Sequence, residues 1–168
     1  MLHKQKIIFV SIVDNQSKMM PELGTRIWHH ENLVRKLLQE ENCVMGRVTY
    51  DLTRWKGENT WVLTKKLKWK RIGIGTIHNI DDLHLHIDGP IYVLGGSSLF
   101  KQFEKYVDEV HLYVINNKDG KDPWIQMKMN EWKPKEYQNE NLWSYTHLIK
   151  KSKPTPIEYE DDEWLFQK

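Results

Sequence analysis

The stretch Pro90–Phe100, Pro-Ile-Tyr-Val-Leu-Gly-Gly-Ser-Ser-Leu-Phe, decides the fold. Its first part, Pro90–Leu94, is rich in β-branched and aromatic side chains and is typical of a buried β-strand. After the glycine pair, Ser97–Tyr106 has the apolar spacing of an amphipathic helix, with a serine as candidate N-cap. Glycine lets a ligand approach the backbone, and the free N–H groups of a helix start favour an anion. The stretch therefore predicts a strand, a turn and a helix that together face a ligand.

A second segment, residues 44–50, has the same order of features and reads Val-Met-Gly-Arg-Val-Thr-Tyr. An apolar strand over residues 42–46 ends at Gly46, and a short helix is predicted over Arg47–Thr53. Arg47 offers a bidentate phosphate donor, and Thr49 offers a hydroxyl. A tight turn with a solvated arginine explains this segment equally well. Two such turns in one small chain nevertheless favour a ligand that carries phosphate, although the glycines do not form the GxGxxG fingerprint.

The remaining elements follow from hydrophobic periodicity and from turn residues. A helix is predicted over His29–Glu41, at most a helical turn over Ile80–Leu85, and a long loop over residues 14–28. No helical period is evident between residues 116 and 141. Further strands are predicted at Lys6–Val13, Thr60–Thr64, Gly73–Ile77, Asp108–Ile115, Leu142–Ile149 and Ile157–Phe166.

This order of elements predicts the α/β class. Strands that alternate with helices indicate a doubly wound, mostly parallel sheet with helices on both faces. The last two strands would form an antiparallel C-terminal hairpin, joined by residues 150–156, at the sheet edge. In such sheets, ligands bind beyond the carboxyl ends of the strands.

Composition narrows the class further. The chain has 168 residues, a formal net charge of +2 and one cysteine. This length predicts a single domain over residues 1–168. Cys43 alone cannot form an intramolecular disulfide framework, and no apolar run is long enough to span a bilayer. We therefore expect a soluble protein of a reducing compartment, and the small net charge does not favour nucleic-acid binding.

The two glycine turns, with Thr-Trp-Val-Leu-Thr at 60–64 between them and Asp-Glu-Val-His-Leu at 108–112 after them, resemble dihydrofolate reductase. The order and spacing match that family from about Lys6 to Trp124. The resemblance implies a dihydrofolate reductase-like fold and an NADPH-dependent reductase that transfers hydride to dihydrofolate and yields tetrahydrofolate. The same motifs occur in a wider group of reductases with this fold.

The resemblance also implies which residues hold NADPH. Gly46, Arg47 and Thr49 would contact phosphate and pyrophosphate, and Thr64 with Lys65 would meet the 2′-phosphate end. The residues expected beneath the pyrophosphate are Gly95, Gly96, Ser97 and Ser98. A cis peptide bond is expected between Gly95 and Gly96, as in the family.

The substrate side departs from the family pattern. The family has one carboxylate on its first helix that orders the pterin and assists protonation. Counting back from Gly46 without gaps places His30 at this position, a shift of one residue places Glu31 there, and a shift of two places Asn32. We favour Glu31 because the chemistry needs a group that binds a cationic pterin edge, with His30 second. A first-turn acid that favours the helix macrodipole explains Glu31 equally well. Trp28 would shape the loop between the two ligands.

A second departure concerns the folate tail. Where the family has an arginine that grips the glutamate tail, this chain has Glu58 after Gly57. A carboxylate there would repel the tail, and the neighbouring cations are Arg54 and Lys56.

Two alternatives stay open. One is a reductase of the same fold that acts on another pterin or on a pyrimidine, and the other is a binding protein that lost catalysis. In each case we expect a small-molecule ligand, no resident metal, no nucleic-acid or membrane partner, and a cytoplasmic monomer.

Overall fold

The computed structural model describes residues 2–3, 5–19, 39–53, 57–125, 127–152 and 157–158. The helices are α1 Arg47–Thr53, α2 Leu83–His86 and α3 Ser97–Phe103, with 3-10 turns at Ile80–Asp82, Glu104–Tyr106 and Met129–Glu131. The strands are β1 Leu2–His3, β2 Ile7–Val13, β3 Lys18–Met19, β4 Asn42–Gly46, β5 Thr60–Leu63, β6 Gly75–Ile77, β7 Ile91–Val93, β8 Val107–Ile115, β9 Asp122–Pro123, β10 Trp132–Asn139, β11 Trp143–Lys150 and β12 Ile157–Glu158.

One large sheet organises the described residues, in the order β10-β11-β8-β2-β7-β4-β5-β6. The pairs from β8 across to β6 are parallel, whereas β8 with β11 and β11 with β10 are antiparallel. The predicted class, a mostly parallel α/β sheet with an antiparallel C-terminal hairpin, is confirmed. No helix among these residues is long and apolar enough to cross a membrane.

The core lies on both faces of this sheet, and β2 shows how. Ile7 and Phe9 belong to the apolar cluster on the face that carries α3, whereas Ile8 and Val10 belong to the cluster on the opposite face. All seven residues of β2 are buried. A strand buried on both faces lacks the apolar-polar alternation of a half-exposed strand, which is typical of a central parallel strand. On the α3 face, the rings of Phe9 and Phe100 lie 4.8 Å apart between centroids.

The prediction that the strands Leu142–Ile149 and Ile157–Phe166 pair with each other was wrong. The strand predicted at Leu142–Ile149 pairs with β10 on one side and with β8 on the other, so both of its edges are occupied. The described part of Ile157–Phe166, residues 157–158, pairs instead with β1. The strand β10 was not predicted because it lies at the sheet edge with most side chains exposed, which removes the alternating pattern.

Three element boundaries differ from the predicted ones by one or two residues. The N-cap of α3 is Gly96 rather than a serine, so Ser97 is already helical. The strand predicted at Gly73–Ile77 begins at Gly75, because Gly73 has a φ of +77° and lies in a turn. The strand predicted at Pro90–Leu94 spans Ile91–Val93.

Several predictions lie outside the described residues. The predicted helix His29–Glu41 falls there except for its last residues, together with Trp28, His30, Glu31 and Asn32. Arg54 and Lys56 lie outside as well. These remain predictions.

A buried polar group joins the amino-terminal segment to the antiparallel part of the sheet. Glu109 on β8 forms an ion pair with Lys6, and its Oε1 accepts a hydrogen bond from Nε2 of His147 at 2.6 Å. Both Glu109 and His147 are buried. Burial raises the pKa of the Glu109 carboxyl, but the hydrogen bonds from Lys6 and His147 outweigh it and hold the pKa below its usual value of 4.5. The carboxylate therefore stabilises the folded chain only while it is ionised.

Replacement of Glu109 by glutamine should lower the free energy of unfolding by about 1–3 kcal/mol at pH 7, because Lys6 loses its charged partner. Since the folded pKa lies below the unfolded one, the stabilisation is present above pH 4.5 and is lost as the pH falls further. Urea unfolding of wild type and the variant at pH 7 and at pH 3.5 measures the difference in their free energies of unfolding at each pH. Glu104→Gln is the control, because Glu104 is exposed. A difference from wild type that does not shrink at pH 3.5 would contradict this account.

Candidate functional site

Five parallel strands of the sheet, β2, β4, β5, β6 and β7, end along one edge. A cavity of about 660 Å³ lies along this edge. Each of the five strand ends contributes to its wall through Ile12, Gly46, Thr64, His78 and Leu94 respectively. The site therefore lies where open α/β sheets bind ligands, beyond the carboxyl ends of their strands.

Hydrogen bonds between the ends of β4 and β7 bring the two glycine turns together. The N–H of Leu94 donates to the carbonyl of Val44 at 2.9 Å, and the N–H of Gly46 donates to the carbonyl of Gly95 at 2.8 Å. The peptide bond between Gly95 and Gly96 is cis, as expected from the resemblance. Two turns predicted separately from sequence thus form one continuous cavity wall.

The glycines keep this wall close to the neighbouring helix. Gly95 has a φ of +117°, a conformation that L side chains rarely adopt. A Cβ atom on Gly96 would lie 3.2 Å from the Thr49 hydroxyl oxygen on α1, and one on Gly46 would lie 3.9 Å from the Gly95 carbonyl oxygen. Gly96 therefore lets the second glycine turn pack closely against Thr49 at the start of α1.

Arg47 brings positive charge to the first turn of α1. Its Nη1 lies 3.2 Å from Oδ2 of Asp51, one helical turn further on. Nη2 of Arg71 lies 4.0 Å from the other oxygen of the same carboxylate, and its guanidinium lies over the ring of Trp69. Asp51 thus holds Arg47 at the cavity wall while Arg71 adds a second positive charge nearby.

A second group of polar side chains follows β5 and β6. Leu63 pairs with Ile77, so the residues after them, Thr64 and His78, are neighbours. Nδ1 of His78 lies 2.8 Å from the carbonyl oxygen of Thr64, and the Thr64 hydroxyl accepts from the N–H of Lys66 at 3.1 Å. Thr64, Lys65 and His78 all line the cavity.

A buried carboxylate fixes the loop after β2. Oδ1 of Asp14 accepts from the N–H groups of Gln16 and Lys18 at 2.8 and 2.9 Å, and Oδ2 accepts from the N–H of Gly120 at 3.0 Å. Burial raises the pKa of Asp14, but these three hydrogen bonds outweigh it and the pKa is lowered. Asp14 therefore joins the loop after β2 to the loop after β8.

Backbone pairing continues this junction to the cavity. The N–H of Lys121 donates to the carbonyl of Met19 at 2.9 Å, and β3 pairs with β9. Met19 and Asp122 both line the cavity.

The structure brings the residues predicted for a phosphate-bearing ligand together. Those that line the cavity are Gly46, Arg47, Thr49, Thr64, Lys65, Gly96, Ser97 and Ser98. Gly95 lies directly behind them through its hydrogen bond to Gly46. Glu58 is exposed in the turn before β5. The predicted substrate residues Trp28, His30 and Glu31 lie outside the described part of the chain.

Sequence reasoning missed three residues of the site. His78 and Asp122 line the cavity, and Asp14 holds the loops beside it. Asp14 and His78 each follow the carboxyl end of a predicted strand, so the rule that identified the glycine turns applied to them as well. Asp122 had no such signal, because β9 is only two residues long.

The arrangement is suited to binding an elongated anion. Backbone N–H groups, hydroxyls and the cations Arg47 and Lys65 line one continuous cavity. Among the residues that the structure describes, no group of three or more histidine, cysteine, aspartate or glutamate side chains is placed to hold a metal ion.

Such a sheet and strand-end cavity define a ligand-binding α/β protein, and comparison with known proteins gives the family. The sequence model of the family described as "Dihydrofolate reductase" matches residues 12–150. Dihydrofolate reductases from two strains of Staphylococcus aureus are each 31% identical over 96 residues, which cover 54% of this chain and 60% of the relative. The chain thus spans about 60% of the length of the curated relatives that it matches.

A solved structure has the same fold. It is the dihydrofolate reductase from Enterococcus faecalis in complex with NADP(H) and RAB-propyl, with a TM-score of 0.73 and 15% identity over 90% of this chain and 100% of that one. The chain belongs to the dihydrofolate reductase family.

Replacement of Gly120 by alanine should loosen the loop junction. The added Cβ would lie 2.2 Å from the carbonyl oxygen of Lys18, so the backbone must shift. We expect the free energy of unfolding to fall by about 1–3 kcal/mol and the Lys121 amide to exchange its hydrogen faster. Hydrogen-exchange mass spectrometry measures the exchange.

Gly89→Ala is the matched control, because Gly89 has a φ of +88° but open space around it. This control should lose stability without faster exchange at Lys121. Equal exchange at Lys121 in wild type and Gly120→Ala would contradict the proposed junction.

Proposed function

We propose that this protein is an NADPH-dependent reductase that converts dihydrofolate to tetrahydrofolate by hydride transfer. The observation that carries the proposal is the single cavity formed by the two glycine turns, in a chain of the dihydrofolate reductase family. The S. aureus relatives are named as enzymes of this activity, and the E. faecalis structure is named as a complex with NADP(H).

The cavity wall supports the proposed cofactor. Gly46, Arg47 and Thr49 would bind the phosphate and pyrophosphate groups, and Thr64 with Lys65 the 2′-phosphate. The pyrophosphate would lie against the segment Gly95, Gly96, Ser97 and Ser98. Glycine at 95 and 96 carries no side chain that could stand between the backbone and a ligand, and Gly96 lies in the cavity wall. When bound, NADPH supplies the hydride, and the work of the chain is to hold its phosphates and aim its reactive end.

The substrate side of the proposal depends on the sequence alone. Glu31 would bind the cationic edge of the pterin and assist its protonation, with His30 as the second candidate. Trp28 would shape the loop between cofactor and pterin. In this proposal a single domain over residues 1–168 acts as a cytoplasmic monomer on a small molecule, without nucleic acid or membrane.

A second candidate substrate is favoured by Glu58. Its exposed carboxylate follows Gly57, at the position where the resemblance leads us to expect an arginine for the glutamate tail. A negative charge there favours a pterin or pyrimidine that lacks this tail. A non-catalytic binding protein is the remaining alternative.

Turnover separates these possibilities. We expect saturable loss of NADPH absorbance at 340 nm, roughly the nicotinamide maximum, when dihydrofolate is added to the purified chain, against a blank without protein. A tail-less dihydropterin tested in parallel measures the contribution of the tail. A higher kcat/KM for the tail-less substrate would favour the second candidate, and NADPH binding without turnover of either would favour the binding protein.

The Glu31→Gln variant tests the acid in the same assay. We expect its kcat to fall roughly 100-fold or more, the typical contribution of a positioned acid, with NADPH affinity unchanged. His30→Gln is the matched variant at the neighbouring position. If Glu31→Gln turned over like wild type, the acid would not be Glu31, and a loss confined to His30→Gln would assign the role to His30.

A further inference from the structure

A second cavity, of about 550 Å³, lies away from the strand-end site. Val107, at the start of β8, lines it, whereas the cavity described above lies beyond the opposite ends of the parallel strands. Its other walls are the end of α3 with the turn after it, the segment before β10 and the end of β11. Among the described residues, Gln102 on α3 is the one that lines both cavities. The second cavity is therefore a separate space, which the proposed cofactor contacts leave unused.

The floor of the second cavity is apolar. Val107 and Trp132 are 1% and 5% exposed, and Ile125 is also buried. All three belong to the apolar cluster on the face that carries α3, and the partly buried Met127 packs against the same cluster. Trp132 pairs with Lys150 across β10 and β11. Because the core and the strand pairing hold these side chains, the floor is formed before any ligand binds.

The rim of the second cavity is charged. The charged side chains that line it are Lys101, Glu104, Lys105, Glu131 and Lys150. Three cations against two carboxylates leave a net formal charge of +1. None of the five forms an ion pair with another side chain in the described part of the chain. Nζ of Lys150 lies 5.8 Å from the centre of the Trp132 ring, so one ammonium group lies beside the apolar floor.

These features define the chemistry of a ligand. An apolar floor binds an apolar body, because binding removes apolar surface from water. An ammonium group beside that floor donates charge-assisted hydrogen bonds to a carboxylate. The two glutamates oppose a ligand with several negative charges, such as a phosphate. Trp132 and Met127 favour an aromatic ring, because indole rings and thioethers both form favourable contacts with aromatic groups.

We propose that the second cavity is a binding site for a small aromatic monocarboxylate. The ring lies on the floor formed by Val107, Ile125 and Met127, and the carboxylate accepts a hydrogen bond from Nζ of Lys150. The volume of about 550 Å³ is typical of a small-molecule site. The proposal does not depend on the reductase activity, because no residue assigned to NADPH or to the pterin lines this cavity.

Isothermal titration calorimetry with 2-naphthoate tests the site. We expect saturable binding of a single 2-naphthoate to the purified chain, with a Kd of roughly 1 mM or tighter. 2-Naphthamide has the same ring without the charge. It should bind roughly ten-fold more weakly, which is the typical loss of one charge-assisted hydrogen bond. Absence of saturable binding, or equal binding of the acid and the amide, would overturn the proposal.

Variants of Lys150 test the assigned donor. Lys150→Gln removes the charge and keeps a long polar side chain, so we expect roughly ten-fold weaker binding of 2-naphthoate and unchanged binding of the amide. Lys150→Arg keeps the charge and should retain most of the affinity. Lys151→Gln is the matched control, because Lys151 is the exposed neighbour and does not line the cavity. Equal affinity of Lys150→Gln and Lys151→Gln for 2-naphthoate would contradict the assignment.

Hydrogen exchange locates the bound probe. Binding in the second cavity should slow exchange of the amides in residues 104–108 and 127–133. Residues 46–52 and 64–66 should change little. Slower exchange confined to residues 46–52 and 64–66 would mean that 2-naphthoate occupies the strand-end cavity, and the proposal would be wrong. The reductase activity would still stand in that case, because it is measured separately with NADPH and dihydrofolate.

Discussion

The site depends on the point where β4 and β7 end side by side. Two backbone hydrogen bonds, from Leu94 to Val44 and from Gly46 to Gly95, hold the two glycine turns in contact. Val44, Leu94 and Gly95 are buried and Gly46 is partly buried, so water cannot replace either bond without cost. Because α1 and α3 begin directly after these turns, their first turns necessarily face the same cavity. One short stretch of strand pairing thus positions both helix starts.

The buried sheet holds the cavity in place, and the loops after β2 and β8, which Asp14 joins, complete the cavity wall. β2 is buried along its whole length and carries Asp14 at its end, where three backbone N–H groups converge on one carboxylate. Asp14 links the loop after β2 to the loop after β8, and this junction leads to Met19 and Asp122 in the wall. At the other end of the sheet, Glu109 joins Lys6 to His147. Buried carboxylates with several donors therefore secure the segments that flank the apolar core.

The sequence was most informative where structure is local. The strands ending at Gly46 and at Val93 were predictable to within a residue because a buried strand, a glycine and a helix start follow closely in the chain. The pairing of β10 with β11 was not, because the exposed edge strand Trp132–Asn139 carries no alternating pattern and register is a long-range property. His78 was missed because its place in the cavity wall depends on the pairing of β5 with β6, which puts Thr64 beside it. Glu31 and Trp28 stay predictions, since they lie outside the described residues.

The central claim is that the two glycine turns form one cofactor site. Hydrogen exchange of the purified chain with and without saturating NADPH tests it most directly, because a bound ligand slows exchange of the backbone amides that it covers or stabilises. We predict slower exchange in residues 46–52, 64–66 and 95–100, with little change in residues 132–150. NADPH binding that left both glycine turns unprotected, or that protected only one of them, would contradict the account.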